Sequence, residues 1–155
     1  MYNTYYHFIF FIIYNIFKNN IAGGPGGGLE ISAPGAIEEK AVLTFTNNTL
    51  TLNSSEGISV FGGRGNGGGV YIAGDDNTII SIYNNIIFDN FAADGGDDIF
   101  VDDYHVGNNV GSTVNLFNND LSDFISDCEN TEGCEPNINE GGNIDEDPLF
   151  VDAAA

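Results

Sequence analysis

The stretch Ser81–Asn90, "SIYNNIIFDN", places two asparagines inside a run of Ile, Phe and Tyr. Asparagine is depleted in β-strands and favoured in turns, so a pair of them within the most strand-like segment needs a reason. Similar pairs recur as "FKNN" (17–20), "FTNN" (45–48) and "LFNN" (116–119). The pairs fall at Asn19-Asn20, Asn47-Asn48, Asn84-Asn85 and Asn118-Asn119, so their first members are spaced 28, 37 and 34 residues apart. An apolar β-rich run leads into each pair and a polar or Gly-rich turn follows. A Gly-Gly cluster then opens a short strand, as in "GGGLEI" (26–31), "GGGVYI" (67–72) and "GGDDIFV" (95–101).

Such loose self-similarity is the sequence signature of a stacked repeat. Asp94-Gly95 is the one Asp-Gly step in the chain, so the two-residue hairpin turns of a meander are almost missing. No segment reads as a crossover helix. The fold class expected is therefore all-β, a solenoid of parallel strands in which each coil stacks on the last. Equivalent residues then lie about 4.8 Å apart along the axis. An Asn at one corner of successive coils can hydrogen-bond its neighbour's side-chain amide, and Asn tolerates the left-handed backbone that corners require. Asn19, Asn20, Asn47, Asn48, Asn84, Asn85, Asn118 and Asn119 are the expected ladder.

Composition agrees. The 155 residues suffice for one domain with a core, 42% of them are hydrophobic, and 21 Gly stand beside 21 Asn. The formal charge is −20. It is uneven: residues 1–60 carry four acids and two lysines (net −2), and residues 61–155 carry 19 acids against Arg64 (net −18). Such a surface repels nucleic acid and anionic lipid. The aromatic N-terminal run "MYNTYYHFIFFIIYNIF" is too short and too polar-studded for a membrane span. It lacks the early cations of a signal peptide, although a signal-like apolar core is an alternative. The expected divisions are an apolar N-terminal segment (1–14), repeats (15–127) and an acidic tail (128–155).

"FKNNIAGGPGGGLEI" (17–31) and "IYNNIIFDNFAADGGDDIFV" (82–101) resemble right-handed parallel β-helix proteins of the pectin-lyase-like superfamily. The pairing of Phe17 and Asn20 with Gly27-Gly28-Leu29 is similar to the repeats of polymorphic outer-membrane proteins. "GGNIDEDPLFVD" (141–152) is similar to the segment that follows the last coils of large secreted β-helix proteins. The resemblance implies a right-handed parallel β-helix, an exported or cell-surface location, a polysaccharide or host-surface glycan as partner, and a chain that is part of a longer protein. Family members include polysaccharide lyases, glycoside hydrolases and non-catalytic surface proteins.

A lyase needs a cation beside the substrate carboxylate and a base, and Lys18, Lys40 and Arg64 are the only Lys and Arg residues. Arg64 lies in the loop "GGRGNGGG". A hydrolase needs carboxylates at a fixed separation, for which Asp75-Asp76 and Asp102-Asp103 with His105 are the candidates. The basic substrate-binding motif of polygalacturonase-like enzymes is missing, so no catalytic residue is assigned. Asp94, Asp97, Asp98, Asp102 and Asp103 lie on a glycine-bent segment that resembles one Gly-Asp calcium-binding nonapeptide; these five are the candidate Ca²⁺ ligands. Asp145, Glu146 and Asp147 form a second acidic cluster. Solvated loop acids that aid solubility are the plain alternative.

Cys128 and Cys134 flank "CENTEGC", a local disulfide in an exported protein and two free thiols in a reducing compartment. His7 and His105 have no nucleophilic partner in view. Sequons fall at Asn47 and Asn53. Tyr71, Tyr83 and Tyr104 are candidates to stack on sugar rings, although a Tyr in an alternating strand more often belongs to the core or its rim. The function expected is a non-catalytic scaffold, adhesin or glycan-contacting surface. The alternatives are a carbohydrate-active enzyme of the same fold and a calcium-stabilised module.

Overall fold

The computed structural model describes residues 7–32, 40–57, 64–75, 77–103, 110–128 and 135–149. These residues form strands and turns without a helix, and no helix is long and apolar enough to cross a membrane.

The chain lays its strands into four sheets in rotation. The first rotation is β1 (His7–Ile13), β2 (Ile16–Lys18), β3 (Ile21–Ala22) and β4 (Leu29–Ser32). The second is β5 (Lys40–Thr46), β6 (Thr49–Thr51), β7 (Ser54–Ser55) and β8 (Val70–Gly74). The third is β9 (Thr78–Tyr83), β10 (Ile86–Phe88), β11 (Phe91–Ala92) and β12 (Ile99–Asp103). The fourth is shorter, with β13 (Val110–Phe117), β14 (Asp120–Leu121) and β15 (Phe124–Cys128), and β16 (Glu135–Gly141) opens a fifth. The sheets run β1-β5-β9-β13-β16, β2-β6-β10-β14, β3-β7-β11 and β4-β8-β12-β15, and their ladders are all parallel. Each strand thus pairs with its counterpart one rotation away, an arrangement compatible with a β-helix. β1 comes from the apolar N-terminal segment and β16 from the acidic tail, and both belong to the first sheet.

Alternation along the strands explains the core. In β5, Ala41, Leu43 and Phe45 are buried while their neighbours are less so. Register then stacks like on like. Leu43, Ile80 and Val114 form one column, and Phe45, Ile82 and Leu116 the next. Leu50 and Ile87 arrive from the second sheet, and Val70, Ile72, Ile99 and Val101 from the fourth. All join one apolar cluster of nearly inaccessible side chains. Each such aliphatic residue is worth roughly 1.5–3 kcal/mol of burial.

β8 and β12 are buried on both faces. Their other face carries a smaller cluster of Tyr71, Ala73 and Phe100, with Ile125 packed against it.

Candidate functional site

The turns between the first and second sheets are built from paired residues with divided duties. Tyr14, Asn47, Asn84, Asn118 and Gly142 take positive φ angles of 58°, 55°, 54°, 55° and 68°. The residue after each is an asparagine whose side chain points into the stack. Asn15 donates its backbone N–H and Nδ2 to Asn48 Oδ1 (2.9 and 3.2 Å), and Asn48 donates in the same way to Asn85 Oδ1 (2.9 and 3.1 Å). Asn85 continues to Asn119 (3.0 and 2.9 Å), and Asn119 to Asn143 (3.0 and 3.1 Å). The second Nδ2 hydrogen goes back to a carbonyl of the preceding rotation: Ile12 for Asn48, Phe45 for Asn85, Ile82 for Asn119 and Leu116 for Asn143.

A second ladder runs along the turns between the second and third sheets. Asn20 donates to Asn53 (3.1 and 2.9 Å), and Asn53 to Asn90 (3.1 and 3.0 Å). Here Asn19, Leu52 and Asp89 supply the left-handed backbone.

The structure therefore separates the pair at 19–20 from the other three. Asn48, Asn85 and Asn119 share one ladder, while Asn20 belongs to the other. Asn19, Asn47, Asn84 and Asn118 are turn residues rather than rungs. Asn15, Asn53, Asn90 and Asn143 are rungs that an alignment on Asn-Asn pairs overlooks. The signal for most of them was a spacing of five, from Asn15 to Asn20, Asn48 to Asn53 and Asn85 to Asn90. The sequon asparagine Asn53 is 1% exposed with its amide fully engaged, which leaves no room for a glycan there.

The third turn is made of glycine. Gly27-Gly28 lie against Gly68-Gly69, joined by Gly27 N–H to Gly67 O (3.0 Å) and Gly28 N–H to Gly68 O (3.1 Å). A Cβ on Gly28 would sit 2.6 Å from the Gly69 carbonyl and 2.9 Å from Asn53 Nδ2. One rotation further the same positions hold Asp97 and Asp98. Among the described residues the third sheet ends at β11, so no strand of that sheet lies beyond β11 beside Asp97 and Asp98. Asp97 Oδ1 accepts from Ala92 N–H (2.8 Å). Asp98 accepts from Asn90 Nδ2 (3.0 Å), Ser122 N–H (2.8 Å) and Ser122 Oγ (3.0 Å), so it takes the place of the next rung. Burial pushes the Asp98 carboxyl above its usual value of 3.8, and the hydrogen bonds from Asn90, Ser122 and the Asp123 backbone oppose this.

The remaining acids are dispersed. Asp94 Oδ2 accepts from Gly65 N–H (2.6 Å). Asp102 Oδ2 accepts from the Tyr71 hydroxyl (2.5 Å), and Asp103 Oδ2 from Ser112 N–H (3.1 Å). Asp75 closes a turn, accepting from Asn77 N–H and the Thr78 hydroxyl. Asp94, Asp97, Asp98, Asp102 and Asp103 are not brought to a common point. Among the described residues no group of three or more His, Cys, Asp or Glu side chains is gathered as a metal ion requires. Asp145, Glu146 and Asp147 are exposed. Asp76, Tyr104, His105 and Cys134 lie outside the described residues, as do the side chains of His7 and Cys128.

Two surface features remain. An open pocket of about 300 Å³ is lined by Arg64, Asn66, Asp94 and Phe100. On the outer face of the first sheet, the Tyr83 and Phe117 rings stack with centroids 5.9 Å apart and planes 18° from parallel. Both rings are half-buried, beside an outward column of Thr44, Ser81, Asn115 and Asn139. Tyr71 stacks on Phe100 but is buried, as a core-rim residue is. Lys18 on β2, Lys40 on β5 and Arg64 in the segment before β8 are all exposed.

No family model, no curated protein and no solved structure matches this chain.

Proposed function

We propose that the chain is a right-handed parallel β-helix of the pectin-lyase-like type, and that it serves as a non-catalytic scaffold of an exported or cell-surface protein. The observation that carries this reading is the pair of asparagine ladders running along the stacked turns beside a single apolar core. The acids, which are the usual currency of glycan chemistry, act mainly as acceptors for neighbouring N–H and O–H groups.

The face offered to a partner is the outer surface of the first sheet. The Tyr83–Phe117 stack is a platform for a sugar ring, and the adjoining Thr, Ser and Asn column supplies hydrogen-bond donors and acceptors. With a net charge of −20, a neutral glycan fits this face and an acidic one is repelled. Affinity electrophoresis in gels containing neutral or acidic polysaccharides tests it. Retardation by a neutral polymer that is lost in Tyr83→Ala supports the glycan-contacting role. Equal mobility of wild type and variant in every gel removes that role. Turnover of any polysaccharide by the wild type would overturn the non-catalytic reading.

A further inference from the structure

The buried asparagines among the described residues are Asn48, Asn53, Asn85, Asn90 and Asn119, all of them ladder rungs, and Asn66, which is not one. Asn66 is 4% exposed. Its backbone carbonyl accepts from Gly26 N–H (2.9 Å), but its side-chain amide makes no hydrogen bond among the described residues. A buried amide without a protein partner is costly, so this one points to a ligand.

The third turn places that amide in the open pocket of about 300 Å³ that it lines with Arg64, Asp94 and Phe100. The residue bridged to Asn66 one rotation on is Gly95, which brings no side chain to stack on the amide. Asp94 is held by a reciprocal pair: its N–H donates to Gly65 O (3.0 Å), and Gly65 N–H donates to Asp94 Oδ2 (2.6 Å). Gly65 is fixed in turn by close packing, since a Cβ there would meet Gly57 N at 2.8 Å and Ser55 O at 2.9 Å. Phe100, from β12, is held by its stack on Tyr71 and gives the pocket an apolar wall. Arg64 is the one Lys or Arg after residue 60, and it lies here, with 19 acids in the same part of the chain.

We infer that this pocket binds a single neutral sugar ring through adjacent hydroxyl groups. The Asp94 carboxylate only accepts hydrogen bonds, the Arg64 guanidinium only donates them, and the Asn66 amide does both. A hydroxyl both donates and accepts, so two neighbouring ring hydroxyls can serve all three side chains. Charge selects against ions. An anion drawn to Arg64 meets Asp94 and a chain of net charge −20, and a cation drawn to Asp94 meets Arg64. Phe100 offers apolar contact to the ring's C–H groups. The volume is at the small end for ligand pockets and suits one ring rather than a chain. The inference takes its ligand class from the glycan-contacting reading and adds a second site. Phe100 belongs to the fourth sheet, whereas Tyr83 and Phe117 belong to the first, so either site can fail alone.

Proton–nitrogen NMR of the whole chain tests this, by titration with the methyl glycosides of glucose, galactose, mannose and N-acetylglucosamine. Alanine serves as a zwitterionic probe and acetate as an anionic one. At least one glycoside is expected to shift the Asn66 side-chain amide and the Gly65 and Asp94 backbone amides saturably, and to do so equally in Tyr83→Ala. Read from Gly65 and Asp94, Asn66→Ala and Arg64→Ala are expected to weaken that glycoside about tenfold or more. Asn66→Ala breaks no side-chain hydrogen bond among the described residues, so its melting midpoint is expected to stay close to wild type, which separates lost binding from lost folding. Arg64 is exposed and gives a second folded variant. No saturable shift at Asn66 with any glycoside overturns the inference. So does a response at Asn66 to alanine or acetate alone, or an affinity unchanged in Asn66→Ala. Shifts that vanish in Tyr83→Ala would put the sugar on the first sheet and overturn the pocket as well. A Tyr83→Ala chain that loses its retardation by polysaccharide but keeps the Asn66 shifts would remove the first-sheet face and support the pocket.

Discussion

Asn48 Nδ2 donates to Asn85 Oδ1 at 3.1 Å, while Asn85 Nδ2 reaches back to the Phe45 carbonyl at 2.9 Å and on to Asn119. Each rung therefore ties three rotations together. Both residues are 1% exposed, so water does not replace a missing partner.

The two members of one pair should respond unequally to mutation. Asn85→Ala strands the donors of Asn48 and the Phe45 carbonyl in a buried site, and is expected to cost about 2–5 kcal/mol. Asn84→Gly keeps the left-handed turn at φ 54° and is expected to lie within about 0.5 kcal/mol of wild type. Urea denaturation of the two variants measures both. Equal losses would remove the division of labour within the pair.

Gly28 is closed to any side chain. Gly28→Ala forces a Cβ toward the Gly69 carbonyl and the Asn53 amide, backbone on one side and a ladder rung on the other. The expected loss is about 2–4 kcal/mol. Gly24, whose Cβ position is open, serves as the control, with Gly24→Ala near neutral in the same thermal melt.

How much of this was legible in the sequence depended on which physical constraint left a mark. The Asn-Asn pairs marked the first turn because one residue had to be left-handed and the next had to be a rung. The second turn was hidden, because Leu52 and Asp89 supply the left-handed backbone there and no pair results. The pair at 19–20 was a second-turn pair in the guise of a first-turn one, since Tyr14 had replaced the asparagine before Asn15. The Gly-led strands were visible because close stacking at Gly27–Gly28 and Gly68–Gly69 excludes every Cβ. The acids of 94–103 invited a calcium reading from composition, but which groups each carboxylate accepts from is a property of the folded turn. That Asp98 would replace a rung depended on the shortened fourth rotation, which spacing alone did not disclose.

Asp98 gives stability a pH dependence of a defined sign. Its folded value is raised above 3.8, so the folded chain holds this proton more tightly than the unfolded one. The ionisation penalty is absent below 3.8 and complete once pH exceeds the raised folded value, so stability falls as pH rises through that window. Asp98→Asn removes the titration. The unfolding free energy of wild type minus variant should therefore decline with rising pH across the window. A flat or rising difference would contradict the buried, desolvated carboxylate.

Cations should act by screening rather than by occupying a site. Asp94, Asp97, Asp98, Asp102 and Asp103 each accept from a protein N–H or O–H group and are not gathered around one point. With a charge of −20, the melting midpoint should rise with ionic strength, and CaCl₂ and MgCl₂ at equal concentration should raise it equally. A shift given by Ca²⁺ well beyond that of Mg²⁺ would contradict screening and show a specific calcium site.

Hydrogen exchange of the asparagine side-chain amides, followed by NMR, tests the stacked ladder most directly because Asn84-Asn85 carries its own control. Asn85 Nδ2 is hydrogen-bonded and inaccessible, whereas its neighbour Asn84 is exposed. The ladder predicts that the amides of Asn48, Asn53, Asn85 and Asn119 exchange far more slowly than those of Asn84 and Asn118, with protection that vanishes only on global unfolding. Equal, fast exchange for both members of each pair would contradict it.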